Sequence, residues 1–177
     1  MKNFLFFSHN QKKIAEIKDI FKIKNINIGN LNSFKKVREP KETGNSFSSN
    51  AKIKSNYGFA MFNIPCFADD SGFCVEALNY GPGVKSKRFL NKFSSNKDAF
   101  KYIISRVIKK NNNTAFFETA ISLTLEKNHH IIFSGKIKGK VSSEPRGNNG
   151  FGYDPIFIPE NSVKTFAQRL KKHIQPN

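Results

Sequence analysis

The sequence predicts an α/β protein with a mixed β-sheet and helices packed against it, and three patterns carry that reading. An apolar run at residues 3–7 is followed from Gln11 by apolar residues at one-turn spacing. A second amphipathic stretch places Phe100, Ile103, Ile104, Val107 and Ile108 on one face. Two alternating stretches, 115–126 and 131–141, follow each other across a short polar gap, as in a long antiparallel hairpin.

Taken in order, residues 3–7 read as a first strand, broken by Ser8-His9-Asn10, and Ile14, Ile17, Ile20 and Phe21 mark the first helix. A short strand is expected near Ile26–Ile28, then a loop over 29–46 rich in Asn, Ser, Gly and Lys. Ser46 or Thr43 should cap a second helix running to about Met61, with Phe47, Ala51 and Ala60 facing inward. Pro65–Ala68 reads as a short buried strand leading into Asp69-Asp70-Ser71-Gly72, residues that favour a turn. Asn96 is the expected cap of the later helix. In the hairpin, Phe117, Ile121, Leu123 and Leu125 should face the core opposite Glu118, Ser122, Thr124 and Glu126, and Lys127 to His130 should form the turn. The second strand should turn Ile131, Phe133, Ile137 and Val141 to one face.

A chain of 177 residues is read as one domain, 1–177, without repeats or linkers. No run approaches the roughly 18 apolar residues of a membrane helix, and the opening run falls short of a signal-peptide core of about 7–15. Cys66 and Cys74 lack metal-type spacing and fit free thiols in a reducing cytoplasm. The 30 Lys and Arg against 13 Asp and Glu give a net charge of +17, which would draw an anion, a phosphate or a nucleic acid. Yet Lys, Asn, Ile and Phe, which share AT-rich codons, are abundant together, so base composition also explains a basic surface.

Three clusters carry chemistry. Asp69 and Asp70 follow a buried strand and would point to opposite sides if that strand continues, leaving one free to bind Mg²⁺ or to act as general base on a water. Ser8-His9-Asn10 and Lys13 lie at a strand-to-helix junction, where free N–H groups and a lysine attract an anion, although Asn10 would equally serve as a cap. Gly150-Phe151-Gly152-Tyr153-Asp154-Pro155 lets backbone approach a planar ligand, with Phe151 or Tyr153 able to stack and Asp154 able to accept hydrogen bonds; a glycine-rich bend before a strand is the alternative. His129-His130 has no ligand-like neighbours and is assigned no metal.

These segments, in order, resemble the inosine triphosphate pyrophosphatase family, which removes non-standard purine nucleotides. The matching residues are Ser8-His9-Asn10 with Lys13, Glu42-Thr43-Gly44 with Phe47, Asn50, Ala51 and Lys54, and Ala68-Asp69-Asp70-Ser71-Gly72. They continue through Gly81-Pro82-Gly83-Val84 with Ser86 and Arg88, Glu144-Pro145-Arg146-Gly147, and Gly150 to Pro155. The resemblance implies a long mixed sheet flanked by helices in two lobes with a nucleotide cleft between them, a homodimer, and Mg²⁺-dependent hydrolysis of a triphosphate to monophosphate and pyrophosphate. It implies Asp70 as general base and metal carboxylate, Glu42 as a second metal carboxylate, and Asp69 in support. It places Ser8, Asn10, Lys13, Lys54 and Ser71 at the phosphates, Asn50 among the substrate-binding residues, and Phe151, Gly152, Tyr153 and Asp154 at the nucleoside, with Phe151 stacking on the purine.

The chain departs from the pattern in three places. His9 stands where the family usually has Gly, and Lys41 where a Glu is common. After about Gln168 the residues to Asn177 contain no match to the family's Ser-His-Arg-Gly motif, so no base-recognition residue is carried over from it. The reading that results is a cytoplasmic pyrophosphatase acting on inosine, deoxyinosine and xanthosine triphosphates, with no membrane partner. The rival is a weakened or inactive relative that binds nucleotide or nucleic acid. Dispersed lysines and the lack of a nucleic-acid motif count against nucleic acid.

Overall fold

A computed structural model of the chain describes residues 4–23, 26–34 and 37–169. Six strands form one sheet in the order β2-β1-β3-β4-β5-β6. They are β1 (Phe4–Phe6), β2 (Ile28–Asn30), β3 (Cys66–Val75), β4 (Thr114–Glu126), β5 (His129–Val141) and β6 (Phe157–Pro159). The helices are α1 (Gln11–Ile23), α2 (Phe47–Phe62), α3 (Ser86–Leu90) and α4 (Asn96–Lys110). Parallel pairing of β1 with β2 and β3, and antiparallel pairing of β5 with β6, make the sheet mixed.

The chain divides into two compact units. One comprises the stretch ending at Asp70 together with Ala120–Ser134; the other comprises Ser71–Thr119 and the stretch from Gly135 onward. In the first unit, strand alternation sorts the core into two groups. Phe6 and Phe67 face α1, packing with Ile14, Ile17 and Phe21, and the rings of Phe6 and Phe67 stack 5.0 Å apart. Leu5, Phe7, Cys66 and Ala68 face the other way, against Phe59 and Phe62 of α2. The second unit closes around Phe73, Val75, Phe100, Ile103, Val107, Ile156 and Phe157, with Tyr153 among them.

Several expectations shift in register or in kind. β2 begins at Ile28, two residues later than the apolar run suggested. Ser46 caps α2 through a reciprocal box with Ser49, and the helix runs to Phe62. Phe47 and Ala51 are buried as expected, but Ala60 is exposed, and Asn50, Lys54, Ser55 and Gly58 complete the inner face. The Asp-Asp-Ser-Gly segment is no turn: it lies inside the ten residues of β3, which runs on past its pairing with β1 at Cys66 and Phe67 and has β4 as its other neighbour in the sheet. Ser95, one residue before Asn96, caps α4, and Ile108 is exposed on it. His129 and His130 belong to β5, so the hairpin turns on Lys127 and Asn128 alone, with Asn128 at φ 65°.

In β4 the expected inward face is only half the story. Ile121 and Leu123 pack against the α1-side core, while Ser122 and Thr124 are the more deeply buried residues, at 0% and 1% exposure. Both faces of the strand are covered, so alternation does not separate core from solvent here.

α2 lies close to the sheet because Gly58 leaves room for it. A Cβ built on Gly58 would stand 2.4 Å from Cys66 Sγ and 2.6 Å from Phe7 Cδ2. Gly58→Ala should therefore overpack this layer and cost about 1–3 kcal/mol, despite alanine's better helix propensity, as a lowered midpoint in urea titration. An unchanged or raised midpoint would show that the layer has slack.

Candidate active site

The loop after β1 is shaped by its own side chains. Asn10 caps α1, its Oδ1 accepting from the N–H groups of Lys12 and Lys13 at 3.1 and 3.3 Å. Ser8 is buried, and its Oγ accepts from Asn10 N–H at 3.2 Å. His9 donates its backbone N–H to Glu39 Oε1 and its Nε2–H to the Val37 carbonyl, each at 2.8 Å. Lys13, in the first turn of α1, reaches across to Asp69 of β3, with Nζ 2.5 Å from Oδ2.

On the other face of β3, Asp70 meets α2. Asn50 is fully buried; its Nδ2 donates to Asp70 Oδ2 at 2.9 Å, while its Oδ1 accepts from Gly44 N–H at 2.8 Å. One amide thus joins the 42–46 loop, α2 and β3. One turn along α2, Lys54 is 7% exposed and pairs with Glu42 Oε1 at 3.1 Å. Burial works against the Lys54 charge, but Asp69, Glu42 and Asp70 outweigh it, and its pKa is raised. Asp70 shows the opposite balance. Its burial outweighs the Asn50 hydrogen bond and the charges of Lys54 and Lys13, with Glu42 adding to the rise, and its pKa is pushed up to about 6.

The cluster therefore holds two lysines and three carboxylates: Lys54, Asp69 and Asp70 are buried, while the side chains of Lys13 and Glu42 keep 21% and 31% exposure. A buried carboxylate with a pKa near neutrality is able both to accept a proton and to gain from a cation. The lysines offer charge to an anionic substrate.

The model of the Ham1 family matches residues 4–174. The chain belongs to the Ham1 family. It is 37% identical over 166 residues to a dITP/XTP pyrophosphatase of Flavobacterium johnsoniae, an alignment covering 93% of this chain and 84% of the relative. It is 32% identical over 170 residues to the dITP/XTP pyrophosphatase of Bacillus subtilis, covering 95% and 86%. The solved HAM1 protein of Coxiella burnetii superposes with a TM-score of 0.87 at 31% identity, over 97% of this chain and 88% of that one.

Within this Ham1-family chain, the remaining motif residues lie in the second unit. Ser71 Oγ accepts from the Thr119 hydroxyl at 3.0 Å. Gly150 and Gly152 both adopt positive φ, 75° and 61°, and Asp154 Oδ2 accepts from Phe151 N–H at 2.7 Å, closing the turn between them. A Cβ on Gly150 would stand 2.0 Å from that carboxylate, so only glycine fits. Phe151 is half-buried beside this turn. Tyr153 corrects the expectation of a ligand-stacking ring. It is 4% exposed, stacks on Phe73 at 5.0 Å, and donates its hydroxyl to the Ser86 carbonyl at 2.8 Å. Burial raises its pKa. The ring is a core side chain, which leaves Phe151 as the aromatic available at this loop.

Sequence reasoning missed Glu39, whose carboxylate takes the His9 N–H, and Thr119, which holds Ser71. Both partners are far along the chain from the motifs they serve, and no spacing rule points to them. The residues after Arg169, including the segment lacking the Ser-His-Arg motif, lie outside the described residues.

The raised Asp70 carboxyl has a consequence for stability. Between its ordinary value of 3.8 and about 6, the folded protein keeps a proton that the unfolded chain has released, so stability falls as pH rises through that window. Asp70→Asn keeps the acceptor for Asn50 and removes this cost. Calorimetry between pH 4 and 8 should show the variant gaining about 1–3 kcal/mol over wild type as pH passes 6. A pH-independent difference would mean that Asp70 titrates normally.

Proposed function

We propose that this protein hydrolyses non-standard purine nucleoside triphosphates, ITP, dITP and XTP, to the monophosphate and pyrophosphate in a Mg²⁺-dependent reaction. The observation that carries the proposal is the cluster of Asp70, Asn50, Lys54, Glu42, Lys13 and Asp69, four of them buried, in a Ham1-family chain whose relatives are named dITP/XTP pyrophosphatases. The cytoplasm is the compartment in which such a nucleotide pool would be cleared. Among the described residues no helix is long and apolar enough to cross a membrane.

The donor set suits Mg²⁺ bound with its substrate. Among the described residues no three His, Cys, Asp or Glu side chains are grouped to cage an ion. Mg²⁺ is commonly held by one or two carboxylates plus substrate phosphates, and Asp70, a carboxylate destabilised by burial, is the group that most gains from a cation. Glu42 would be the second carboxylate once Lys54 turns to phosphate. Asp69 would support them once Lys13 turns from their 2.5 Å pairing to phosphate. When bound, Mg²⁺ would neutralise phosphate charge and polarise the α-phosphate.

The chain's own groups supply the rest. Asp70 takes a proton from the attacking water, with Asn50 fixing the carboxylate's orientation. Lys13 and Lys54 would exchange their carboxylate partners for phosphate oxygens, with Ser8 and Asn10 of the first unit and Ser71 of the second as further phosphate-binding groups. Phe151 stacks on the purine, while Gly152 and Asp154 shape its loop. A nucleobase lacking the 6-oxo acceptor or carrying an extra amino group would leave buried polar groups unpaired.

Pyrophosphate release from ITP with Mg²⁺ tests this reading. Asp70→Asn should lose roughly 10²–10⁴-fold in kcat. The acidic limb of kcat/KM should fall at or below about pH 6, since the carboxylate must be ionised and a bound cation favours that form. Full activity in the variant would remove Asp70 from the chemistry.

We also propose a homodimer. β5 presents Ile131, Phe133 and Ile137 at 39%, 59% and 50% exposure, an apolar strand face without cover in the monomer. Phe133→Glu should convert a dimer to a monomer in sedimentation equilibrium; a wild-type monomer at all concentrations would exclude the assembly.

A further inference from the structure

We propose that Ser55, Ser122 and Thr124 form a buried hydroxyl ladder that sets the register of α2 on the sheet, and thereby positions Asn50 and Lys54 against Asp70 and Glu42. Ser55 Oγ lies 2.9 Å from both Ser122 Oγ and Thr124 Oγ1, and Thr124 donates to Asn56 Oδ1 at 2.8 Å. All three hydroxyl residues are essentially inaccessible, at 0–1% exposure. In a chain with 19 phenylalanines, burying three hydroxyls at a helix–sheet contact calls for a reason other than hydrophobic gain.

The reason lies in what surrounds the ladder. Small buried side chains, Ala51 and Gly58 on α2, Ala68 on β3 and Ala120 on β4, share this layer with Leu5, Phe7 and Cys66, against which Phe59 and Phe62 pack. The small residues let the helix approach the sheet closely. Apolar contact is non-directional, whereas hydrogen bonds are not. Sliding α2 by one residue would move its side chains about 1.5 Å and rotate them by about 100°. That displacement would break the 2.9 Å bond from Asn50 to Asp70 and the 3.1 Å pair of Lys54 with Glu42. Ser55 directly follows Lys54, so the ladder grips the helix beside the residue whose placement it governs. The three are positioning residues, acting through Asn50 and Lys54.

This inference rests on the proposed hydrolysis for its kinetic readout, and the test separates the two. Thr124→Val keeps the side-chain shape and removes the hydroxyl; Thr124→Ser keeps the hydroxyl and removes a methyl group. Assayed well below the melting temperature of each variant, Thr124→Val should lose roughly 10-fold or more in kcat for ITP, since ångström-scale misplacement of catalytic groups can cost about 10²-fold. Thr124→Ser should stay within about 2-fold of wild type, even if it melts earlier. In parallel, acylation of Lys54 by an amine reagent, followed by peptide mass spectrometry, should speed up in Thr124→Val and not in Thr124→Ser. Equal kcat and equal Lys54 labelling in wild type and Thr124→Val would overturn the positioning role, as would loss of kcat tracking melting temperature across both variants. If wild type releases no pyrophosphate from ITP but the labelling contrast holds, the substrate reading fails and the positioning role stands.

Discussion

The amide of Asn50 is the contact on which the first unit's chemistry depends. It is fully buried, and it uses both ends at once, accepting from Gly44 N–H and donating to Asp70. That one side chain ties the loop before α2 to the helix, and both to β3 twenty residues further on. Gly44 has no room for a side chain, since a Cβ there would stand 2.7 Å from the Asn50 oxygen. A buried amide left half-paired costs about 1–3 kcal/mol, so the loop, the helix and the strand are each held to the arrangement that satisfies it.

Around that bridge the charges are arranged at a cost to folding. Five ionisable groups gather around β3, three of them buried, and each lysine is matched with a carboxylate. Asp70 alone has an amide as its direct partner, which is too little to offset its burial. Stability alone would favour an asparagine there, whereas the proposed general base needs a carboxylate. A carboxylate held ionised at a cost to folding suits that proposed role. The total charge of +17 says little about this: Lys13 and Lys54 are the lysines drawn into the cluster, and they are paired with acids.

Much of the architecture was legible because it rests on periodicity. α1 and the inner face of α4 follow from apolar spacing, and the hairpin follows from alternation. Misreadings fall where a neighbour decides. Asp69 to Gly72 reads as a turn by residue type, yet it is strand, as part of a long β3 that has β1 and β4 as its sheet neighbours. Ala60 and Ile108 look like core residues and are exposed, because the helix face is set by what packs against it. Ser122 and Thr124 look like a solvent face and are among the most buried residues, because α2 covers them with hydroxyl partners.

By itself, the sequence determined the α/β class, the order of the elements and the motif residues that mark a Ham1-family chain, since these depend on local spacing and residue type. Only the tertiary structure decided what each motif residue does. Asn10 became a cap, Tyr153 a core ring, Asp69 a partner for Lys13 and Asp70 an acid with a raised pKa. Such roles come from burial and from partners distant along the chain, and a one-dimensional pattern records neither.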